Sequence, residues 1–158
     1  MDFESLFAKR ANHIKPGLER IRRSYEHLHK PAWSIPGVLV GGTNGKGSTS
    51  GFIWALLALS RKPIALYSSP HLVDFSERFQ ISGLTITDEA VDEAHHDLKA
   101  NLTDELYAEL SFFEIATLLA FRIFEQQQAA FQVLEVGLGG RWDASNISDP
   151  LASIVVSV

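Results

Sequence analysis

The sequence contains no cysteine among its 158 residues, which excludes disulfide bonds and thiolate metal ligands. It also lacks a long hydrophobic segment. The longest uninterrupted apolar run covers residues 52–59, whereas a helix that spans a membrane needs about 20 apolar residues. The first residues are acidic and do not show the basic and then apolar layout of a signal peptide. These absences predict a cytoplasmic protein with no membrane partner.

An excess of positive charge is missing as well, since the formal net charge is -5. We therefore predict no nucleic-acid partner, because no overall field would attract such a polyanion. Apolar residues make up 46% of the chain and charged residues 21%, which is ordinary for a globular domain. The length is sufficient for one domain with a hydrophobic core. Composition thus leaves open both an enzyme and a binding module.

The most informative stretch is a glycine-rich loop, residues 41–47, which lies between a short apolar run and an apolar helix. Its glycines allow backbone N–H groups to curl around phosphate oxygens, and the helix that follows directs its positive end at the anion. Lys46 supplies a cation for the outer phosphates, and Ser48 or Thr49 supplies a hydroxyl for Mg²⁺. This order of strand, loop and helix predicts a polyphosphate site.

The glycine-rich loop departs from the strict P-loop pattern G-x-x-x-x-G-K-[ST]. Val40 stands where the first glycine belongs, Gly47 follows Lys46 directly, and Ser48 comes one place late. The alternative is a strand-to-helix turn that is merely rich in glycine. Four glycines and one lysine within seven residues, between an apolar strand and an apolar helix, favour phosphate binding.

Strand and helix patterns alternate along the chain. Strands are predicted at residues 38–40, 64–67, 131–136 and 154–158. Helices are predicted at residues 3–29, with a break near residues 15–17, and at residues 47–60, 87–101 and 111–127. This alternation predicts an α/β fold with a mostly parallel sheet and helices on both faces. Helix 47–60 is apolar nearly all round and the last strand is rich in valine, so both are predicted to be buried.

These elements divide into two predicted parts. Residues 1–36 form an N-terminal helical segment, and residues 37–158 form a P-loop domain. The last predicted strand ends without a turn or a cap. We therefore expect the P-loop domain to be incomplete and the chain to be the first part of a longer protein.

Two further loops follow predicted strands and carry oxygen ligands. Ser69 follows the second strand, and Glu135 lies near the end of the third. Because ligands bind at the carboxyl ends of parallel strands, both side chains are candidate Mg²⁺ ligands beside the glycine-rich loop. Two alternatives stay open: Glu135 is held by backbone N–H groups of the following turn, and Ser69 is a turn residue before Pro70.

His95 and His96 are neighbours on the predicted helix 87–101. Consecutive residues of a helix point about 100° apart, so the two imidazoles cannot readily share one metal ion. We interpret both as surface residues rather than as a metal site.

A predicted capping box and a second glycine-rich stretch carry residues that fit a flat organic substrate. Ser111 and Glu114 form the box. Residues 137–146 form a long loop that is too polar and too rich in glycine to be packing. The candidate residues are Phe112, Phe113, Trp142, Asp143 and Asn146. Each aromatic could equally belong to the core.

Five motifs occur in order and at fitting intervals. They are Gly42-Thr-Asn-Gly-Lys-Gly-Ser48, Ser68-Ser-Pro-His-Leu72, Glu77-Arg78, Phe113-Glu114 and Glu135-Val-Gly-Leu-Gly-Gly-Arg-Trp-Asp-Ala-Ser-Asn146. Together they resemble bacterial dihydrofolate synthase/folylpolyglutamate synthase, of the Mur ligase superfamily, from about residue 17 to the last residue. The resemblance implies a P-loop three-layer fold like the central ATPase domain of Mur ligases. That domain would be truncated here, and the C-terminal ligase domain would be absent.

The resemblance also implies an ATP-dependent ligase that joins L-glutamate to dihydropteroate or folates. The pteroate or folate carboxylate attacks the γ-phosphate to form an acyl phosphate, and the amino group of L-glutamate then displaces phosphate. ATP and Mg²⁺ are the implied cofactors, and charge neutralisation and alignment carry most of the catalysis. This chain would supply the ATP- and pteroate-binding half, would be inactive alone, and would be monomeric when full length.

Motif positions assign implied roles to residues of this sequence. Lys46 and Glu135 are the implied catalytic residues. The implied ATP contacts are Thr43, Asn44, Gly45, Lys46, Gly47 and Ser48, and the implied metal ligands are Ser69, Glu135 and Ser48. The implied pteroate contacts are Ser111, Phe112, Phe113, Glu114, Trp142, Asp143 and Ala144. Residues 17–20 and 71–78 are expected to close over that pocket. Trp142 and Ser145 depart from the family, in which Leu and Thr are common at these positions.

Three alternatives belong to other functional classes or substrates. A Mur-type ligase of cell-wall precursors would share the glycine-rich loop. A nucleotide-binding module without catalysis would also share it, although the presence of Lys46, Ser69 and Glu135 argues against a degenerate site. A P-loop kinase or GTPase is disfavoured, because the sequence has no N-K-x-D motif for reading a base.

Overall fold

The computed structural model describes residues 17–157. The helices of this part are α1 (Glu19–His27), α2 (Lys46–Ala58), α3 (Asp88–Ala100), α4 (Asp104–Glu109) and α5 (Phe112–Gln126). The strands are β1 (Gly37–Gly41), β2 (Ile64–Tyr67), β3 (Phe79–Ile81), β4 (Leu84–Thr85), β5 (Phe131–Glu135) and β6 (Ala152–Val155). Short 3₁₀ turns cover Phe75–Arg78 and Ala144–Ile147. The helix predicted for residues 3–16 lies outside the described residues.

The strands form one six-stranded sheet in the order β4-β3-β2-β5-β1-β6. β1 runs parallel to both β5 and β6, and β2 runs parallel to β5. β3 and β4 are added antiparallel at the β2 side. In the register, Val40 pairs with Glu135, so β1 and β5 end at the same level. The prediction of a mostly parallel α/β sheet is confirmed, and its carboxyl edge brings three loops together.

Helices cover both faces of this sheet, as predicted. On one face, α1, α3 and α5 enclose the main core, in which Ile21, Leu98 and Phe121 are almost completely buried. On the other face, Val40, Leu66 and Val133 pack against the stripe of α2 that carries Ile53, Trp54 and Leu57. Alternate residues of each strand point to opposite faces, so a single apolar strand contributes side chains to both cores. The sheet is therefore the middle layer of three.

The prediction that α2 is buried nearly all round is wrong. Ser50 is the only buried residue of this helix, and Phe52 and Leu56 are 71% and 68% exposed. Within residues 17–157, α2 packs on β1, β2 and β5 and uses only one stripe for that contact. An apolar sequence indicates that a helix can be buried, but burial also needs other elements that pack against each of its sides. In the described part of the chain, no helix is long and apolar enough to span a bilayer.

The last strand is also more exposed than predicted. β6 covers Ala152–Val155 instead of residues 154–158, and three of its four residues are exposed. It pairs with β1 and forms one edge of the sheet. Its valine-rich sequence is therefore not sufficient for burial, because an end strand has a neighbour on one side only.

His95 is buried, although both histidines of α3 were interpreted as surface residues. Its side chain is 1% exposed, and its Nε2 atom lies 2.8 Å from the hydroxyl oxygen of Tyr107. Burial, assisted by the neighbouring His96 and Lys99 charges, lowers the pKa of His95 to about 4. His96 is exposed, as predicted. The buried face of α3 thus includes one imidazole that is neutral at pH 7.

The described part of the predicted N-terminal segment shares the core of the sheet domain. The Tyr25 ring of α1 lies 5.4 Å from the Phe121 ring of α5. The side-chain amide of Gln132 in β5 donates a 2.8 Å hydrogen bond to the carbonyl oxygen of Ile35. Residues 17–36 therefore pack against the sheet domain, and the boundary at residue 36 stays a prediction.

Candidate active site

The glycine-rich loop joins β1 to α2 at the carboxyl edge of the sheet. Gly42 and Gly45 have φ angles of 134° and 84°, a region of backbone conformation that side chains with a Cβ rarely adopt. Helix α2 begins at Lys46. The first N–H groups of a helix have no partner within the helix, so this end offers donors to an anion. The predicted strand, loop and helix are present, and Gly47 and Ser48 are exposed there.

The glycine-rich loop is pinned by Ser157, a contact that sequence reasoning missed. The backbone N–H of Thr43 donates to the Ser157 carbonyl oxygen at 2.8 Å, and that of Asn44 donates to Ser157 Oγ at 3.0 Å. A Cβ on Gly42 would lie 2.8 Å from the same carbonyl. Two of the N–H groups expected to face phosphate are therefore engaged. The remaining candidates are those at the start of α2.

Lys46 folds back over the loop. Its Nζ atom donates a 3.0 Å hydrogen bond to the carbonyl oxygen of Gly42. The side chain is half-buried and lines a cavity of about 610 Å³ between the glycine-rich loop, the end of β6 and residues 136–141. This volume is within the usual range of roughly 300–1,000 Å³ for small-molecule sites. A ligand phosphate entering the cavity would compete with Gly42 for the ammonium group.

Glu135 and Ser69 are brought together beside the glycine-rich loop. The backbone N–H of Ser69 donates to Glu135 Oε2 at 3.1 Å. A Cβ on Gly47 would lie 3.5 Å from Glu135 Oε1, so the carboxylate sits against the first turn of α2. Glu135 is 4% exposed. The alternative in which the following turn holds this carboxylate is wrong, because the donor comes from the loop after β2.

Burial raises the pKa of Glu135, and the Ser69 N–H and the charges of Lys46 and Arg78 offset part of that increase. Within residues 17–157, no Lys or Arg forms a salt bridge with this carboxylate and no group of three metal-binding side chains is found. A buried carboxylate beside a serine fits Mg²⁺, which takes one or two protein oxygens and completes its shell with water and phosphate.

The loop of residues 137–146 is organised around Asp143. Its Oδ2 atom accepts hydrogen bonds from the N–H groups of Gly137 at 2.9 Å and Leu138 at 3.0 Å. Its Oδ1 atom accepts from the N–H and the hydroxyl of Ser145. Burial raises the pKa of Asp143 and these four hydrogen bonds oppose that increase. The carboxylate thus stabilises the conformation of its own loop. On either side of it, Trp142 is 57% exposed and Ala144 is buried.

The start of α5 packs against this loop. Phe113 is half-buried, and a Cβ on Gly137 would lie 2.5 Å from its Cζ atom, so a larger residue at position 137 would require the Phe113 ring to move. Glu114 is buried, and its Oε2 atom accepts from the Ser111 N–H at 2.7 Å. Arg20 donates to Glu114 Oε1 at 3.1 Å. The capping box is confirmed, and the Glu114 carboxylate already has two partners.

Replacing Ser111 with Ala should destabilise the protein by about 1 kcal/mol, the usual effect of removing an N-cap hydroxyl. Ser111 Oγ accepts the 3.3 Å hydrogen bond from the Glu114 N–H that closes the first turn of α5. Urea unfolding of both proteins measures the change. Ser111→Thr, which keeps a capping hydroxyl, is the matched control. Equal stability of the Ala variant and the wild type would contradict the capping role.

Arg78 is a buried cation, and no separate role was predicted for it from the sequence. Its guanidinium lies 5.6 Å from the ring centres of both Phe75 and Phe112. Its Nε atom donates to His71 Nδ1 at 2.9 Å, and its carbonyl oxygen accepts from the Ser68 N–H at 3.1 Å. Arg78 therefore fixes the loop after β2 that carries Ser69. The motif Glu77-Arg78 drew attention to this residue in the sequence. Its contacts with Phe75 and Phe112 were not predicted, because those two residues are distant from each other along the chain.

No family model matches the chain. Dihydrofolate synthase/folylpolyglutamate synthase of Bacillus subtilis is 35% identical over 149 residues, which are 92% of this chain and 35% of that protein. The structure of Escherichia coli FolC in complex with DHPP and ADP matches with a TM-score of 0.90 at 33% identity, over 99% of this chain and 37% of that chain. A bifunctional folylpolyglutamate synthase/dihydrofolate synthase with Mn, AMPPNP and L-glutamate bound matches with a TM-score of 0.80 at 35% identity, over 89% and 34%.

The six-stranded mixed sheet, with helices on both faces and a glycine-rich loop after β1, has the α/β architecture of Mur-ligase-like proteins. Sequence identity and structural similarity agree over nearly all of the described residues. Over this stretch, the chain belongs to the dihydrofolate synthase/folylpolyglutamate synthase family. It spans about a third of the length of the relatives described above.

Proposed function

We propose that this chain is the nucleotide- and pteroate-binding part of an ATP-dependent ligase that joins L-glutamate to dihydropteroate or folates. One observation carries the proposal: the glycine-rich loop, the Ser69–Glu135 pair and the 137–146 loop meet at one edge of the sheet. The relatives support it, since one was solved with DHPP and ADP and another with Mn, AMPPNP and L-glutamate. The chain spans about a third of such proteins, so we expect no ligation by the 158 residues alone.

The proposed chemistry needs little covalent help from the protein. An oxygen of the pteroate carboxylate forms a bond to the γ-phosphorus while the bond from that phosphorus to ADP breaks. The amine of L-glutamate then bonds to the acyl carbon while the bond from that carbon to the phosphate oxygen breaks, and phosphate leaves together with the proton that the amine loses. Both reactants of the first step are anions, so alignment and charge neutralisation lower the barrier. Lys46, which lines the cavity, and the N–H groups at the start of α2 are the proposed phosphate ligands.

Glu135 and Ser69 are the proposed protein ligands of the divalent cation, with Ser48 as a third candidate on the exposed first turn of α2. When bound, the cation supplies positive charge to the outer phosphates of the nucleotide. The Ser69 N–H donates to Glu135 Oε2, and both carboxylate oxygens lie 3.5–3.6 Å from the position that a Cβ on Gly47 would take in the first turn of α2. Thr43 and Asn44 are proposed to contact ATP through their side chains, since Ser157 engages their backbone N–H groups.

The proposed pteroate pocket lies between the start of α5 and the 137–146 loop. Phe113 and Trp142 offer partly exposed aromatic surface to a flat ring. Phe112 and Ala144 are buried and would form the wall behind these rings. Asp143 and Glu114 hold the two backbone segments in place through their own hydrogen bonds. Ser111 would then contact the substrate only at the rim.

The first test is ATP binding by calorimetry, with and without Mg²⁺, for wild type and Lys46→Ala. Loss of one charged contact to phosphate should weaken binding by about 10- to 150-fold, which corresponds to roughly 1.5–3 kcal/mol. Lys62→Ala, an exposed lysine beyond the far end of α2, is the control and should bind normally. Dihydropteroate is then titrated into each protein. Equal ATP affinity of Lys46→Ala and wild type would refute a phosphate site in the glycine-rich loop.

Substrate specificity distinguishes the proposal from a Mur-type ligase and from a module without catalysis. The assay uses a full-length protein that contains this chain, with ATP, Mg²⁺, L-glutamate and either dihydropteroate or a peptidoglycan precursor. We expect turnover with dihydropteroate. Turnover with the precursor alone would favour the Mur-type ligase, and ATP binding without any turnover would favour the non-catalytic module. A monomeric, cytoplasmic protein stays a prediction from the sequence.

A further inference from the structure

The cavity beside the glycine-rich loop has a cation on each of two walls. Lys46 lies on the wall formed by the glycine-rich loop, and Arg141 lies on the wall formed by the 137–146 loop. No Asp or Glu is among its lining residues in the described part of the chain. Two cations with no carboxylate make a cavity suited to a compact, highly charged anion. Lys46 already has a proposed ligand, whereas the motif comparison gives Arg141 no role.

Arg141 lines this cavity and lies beside the ring of the residue that follows it. Its guanidinium lies 5.4 Å from the ring centre of Trp142, and both side chains are exposed. Within residues 17–157, no carboxylate forms a salt bridge with Arg141. The backbone beneath it is fixed, because the Arg141 carbonyl accepts a 3.2 Å hydrogen bond from Asn146 and the Gly140 carbonyl accepts one from Asp143. The backbone of Arg141 is thus fixed by hydrogen bonds, and its guanidinium lies within cation–π distance of an aromatic ring.

We propose that Arg141 is a second phosphate-binding residue of this cavity, and that the Trp142 ring positions it for the terminal phosphate of a bound nucleotide. The proposal rests on the proposed function of the glycine-rich loop. A guanidinium presents a planar fork of donors that binds two phosphate oxygens at once, and the Lys46 ammonium would approach from the opposite wall. Trp142 is a positioning residue in this arrangement, since it contacts Arg141 rather than phosphate.

The choice of phosphate over a substrate carboxylate follows from position. Arg141 shares the cavity with Thr43 and Lys46 of the glycine-rich loop, at the positively polarised end of α2. The predicted pteroate surface, in contrast, includes Phe113 and Ala144, which are not among the lining residues of this cavity. A cation at this place also faces the region where negative charge accumulates when a terminal phosphate is transferred.

The test uses a full-length protein that contains this chain, with Arg141→Ala, Arg141→Lys and Arg61→Ala as the control. Arg61 is an exposed arginine at the opposite end of α2. Arg141→Ala should weaken ATP binding by about 10-fold or more and ADP binding by much less, because only ATP carries the γ-phosphate. Arg141→Lys should recover part of the loss, and Arg61→Ala should bind like wild type. Because Arg141 is exposed, its removal should leave the melting temperature nearly unchanged.

Tryptophan fluorescence provides a second readout. If Arg141 had a purely structural role, ATP would not change the emission through this residue. ATP should bring its γ-phosphate beside the guanidinium that lies near the Trp142 ring and so change the tryptophan emission of the wild type. That change should be absent in Trp142→Leu and in Arg141→Ala. Unchanged ATP affinity of Arg141→Ala, or a loss confined to dihydropteroate binding, would overturn the inference. If Lys46→Ala also binds ATP like wild type, the proposed function fails as well; if only Lys46→Ala is impaired, the inference alone fails.

Discussion

If the proposed ligase activity holds, replacing Glu135 with Gln should reduce the turnover of a full-length protein that contains this chain by about 10²- to 10³-fold, the usual effect of removing one preorganised electrostatic group. The substitution removes the only carboxylate proposed to hold the divalent cation. It keeps the shape of the side chain, and the amide oxygen can still accept the hydrogen bond from the Ser69 N–H. The measurement is kcat at saturating ATP and Mg²⁺. Glu93→Gln, an exposed carboxylate on α3, is the control.

The same substitution should make the ligand-free protein more stable at pH 8. Burial raises the pKa of Glu135, so folding favours its protonated form. The stability from this group is fully present below its ordinary pKa and is lost as the pH rises through the raised pKa. Gln has the neutral form at every pH. The melting temperature of the variant should therefore exceed that of wild type at pH 8, and the difference should shrink as the pH falls toward 4. A less stable variant at pH 8 would contradict this account.

Replacing Asp143 with Ala should destabilise the protein by about 3 kcal/mol, since a buried donor left without an acceptor costs about 1–3 kcal/mol. Three backbone N–H groups, those of Gly137, Leu138 and Ser145, lose their acceptor at once. Urea unfolding measures the loss. Asp149→Ala, which removes an exposed carboxylate a few residues away, is the matched control and should lie within about 0.5 kcal/mol of wild type.

Asp143→Asn separates support of the loop from contact with the substrate. The amide oxygen can still accept from Gly137 and Leu138, and the variant has no buried charge, so it should lose less stability than the Ala variant. If Asp143 only supports the loop, dihydropteroate binding should follow stability across the two variants. Near-normal stability together with lost dihydropteroate binding in Asp143→Asn would point to direct contact. An Ala variant as stable as wild type would refute the structural role.

The features that the sequence predicted well follow from local spacing or from a general rule for parallel sheets. The glycine-rich loop is read from seven consecutive residues, and the capping box of Ser111 and Glu114 from four. The meeting of Ser69 and Glu135 could be predicted because parallel strands bring their carboxyl ends to one edge. The first two rules connect neighbouring residues to a local geometry, whereas the third also requires that β2 and β5 lie side by side and parallel.

The features that the sequence did not predict depend on partners that are distant along the chain. Phe52 and Leu56 are apolar, but nothing in the sequence says that α2 uses one stripe only. His95 is buried because it lies on the face of α3 that packs against the core, whereas its neighbour His96 lies on an exposed face. Ser157 fixes the glycine-rich loop across 113 positions of sequence, and no motif marks it.

The strand order has a consequence for how the protein is made. β1 ends at Gly41, and its neighbour β5 begins only at Phe131. At a synthesis rate of about 5–20 residues per second, roughly 5–20 s separate the appearance of the two strands on the ribosome. During that interval the glycine-rich loop has neither β5 beside it nor Ser157 to pin it. Bound nucleotide stabilises only a sheet in which β5 has already paired with β1, so ATP cannot assist the earlier steps of folding.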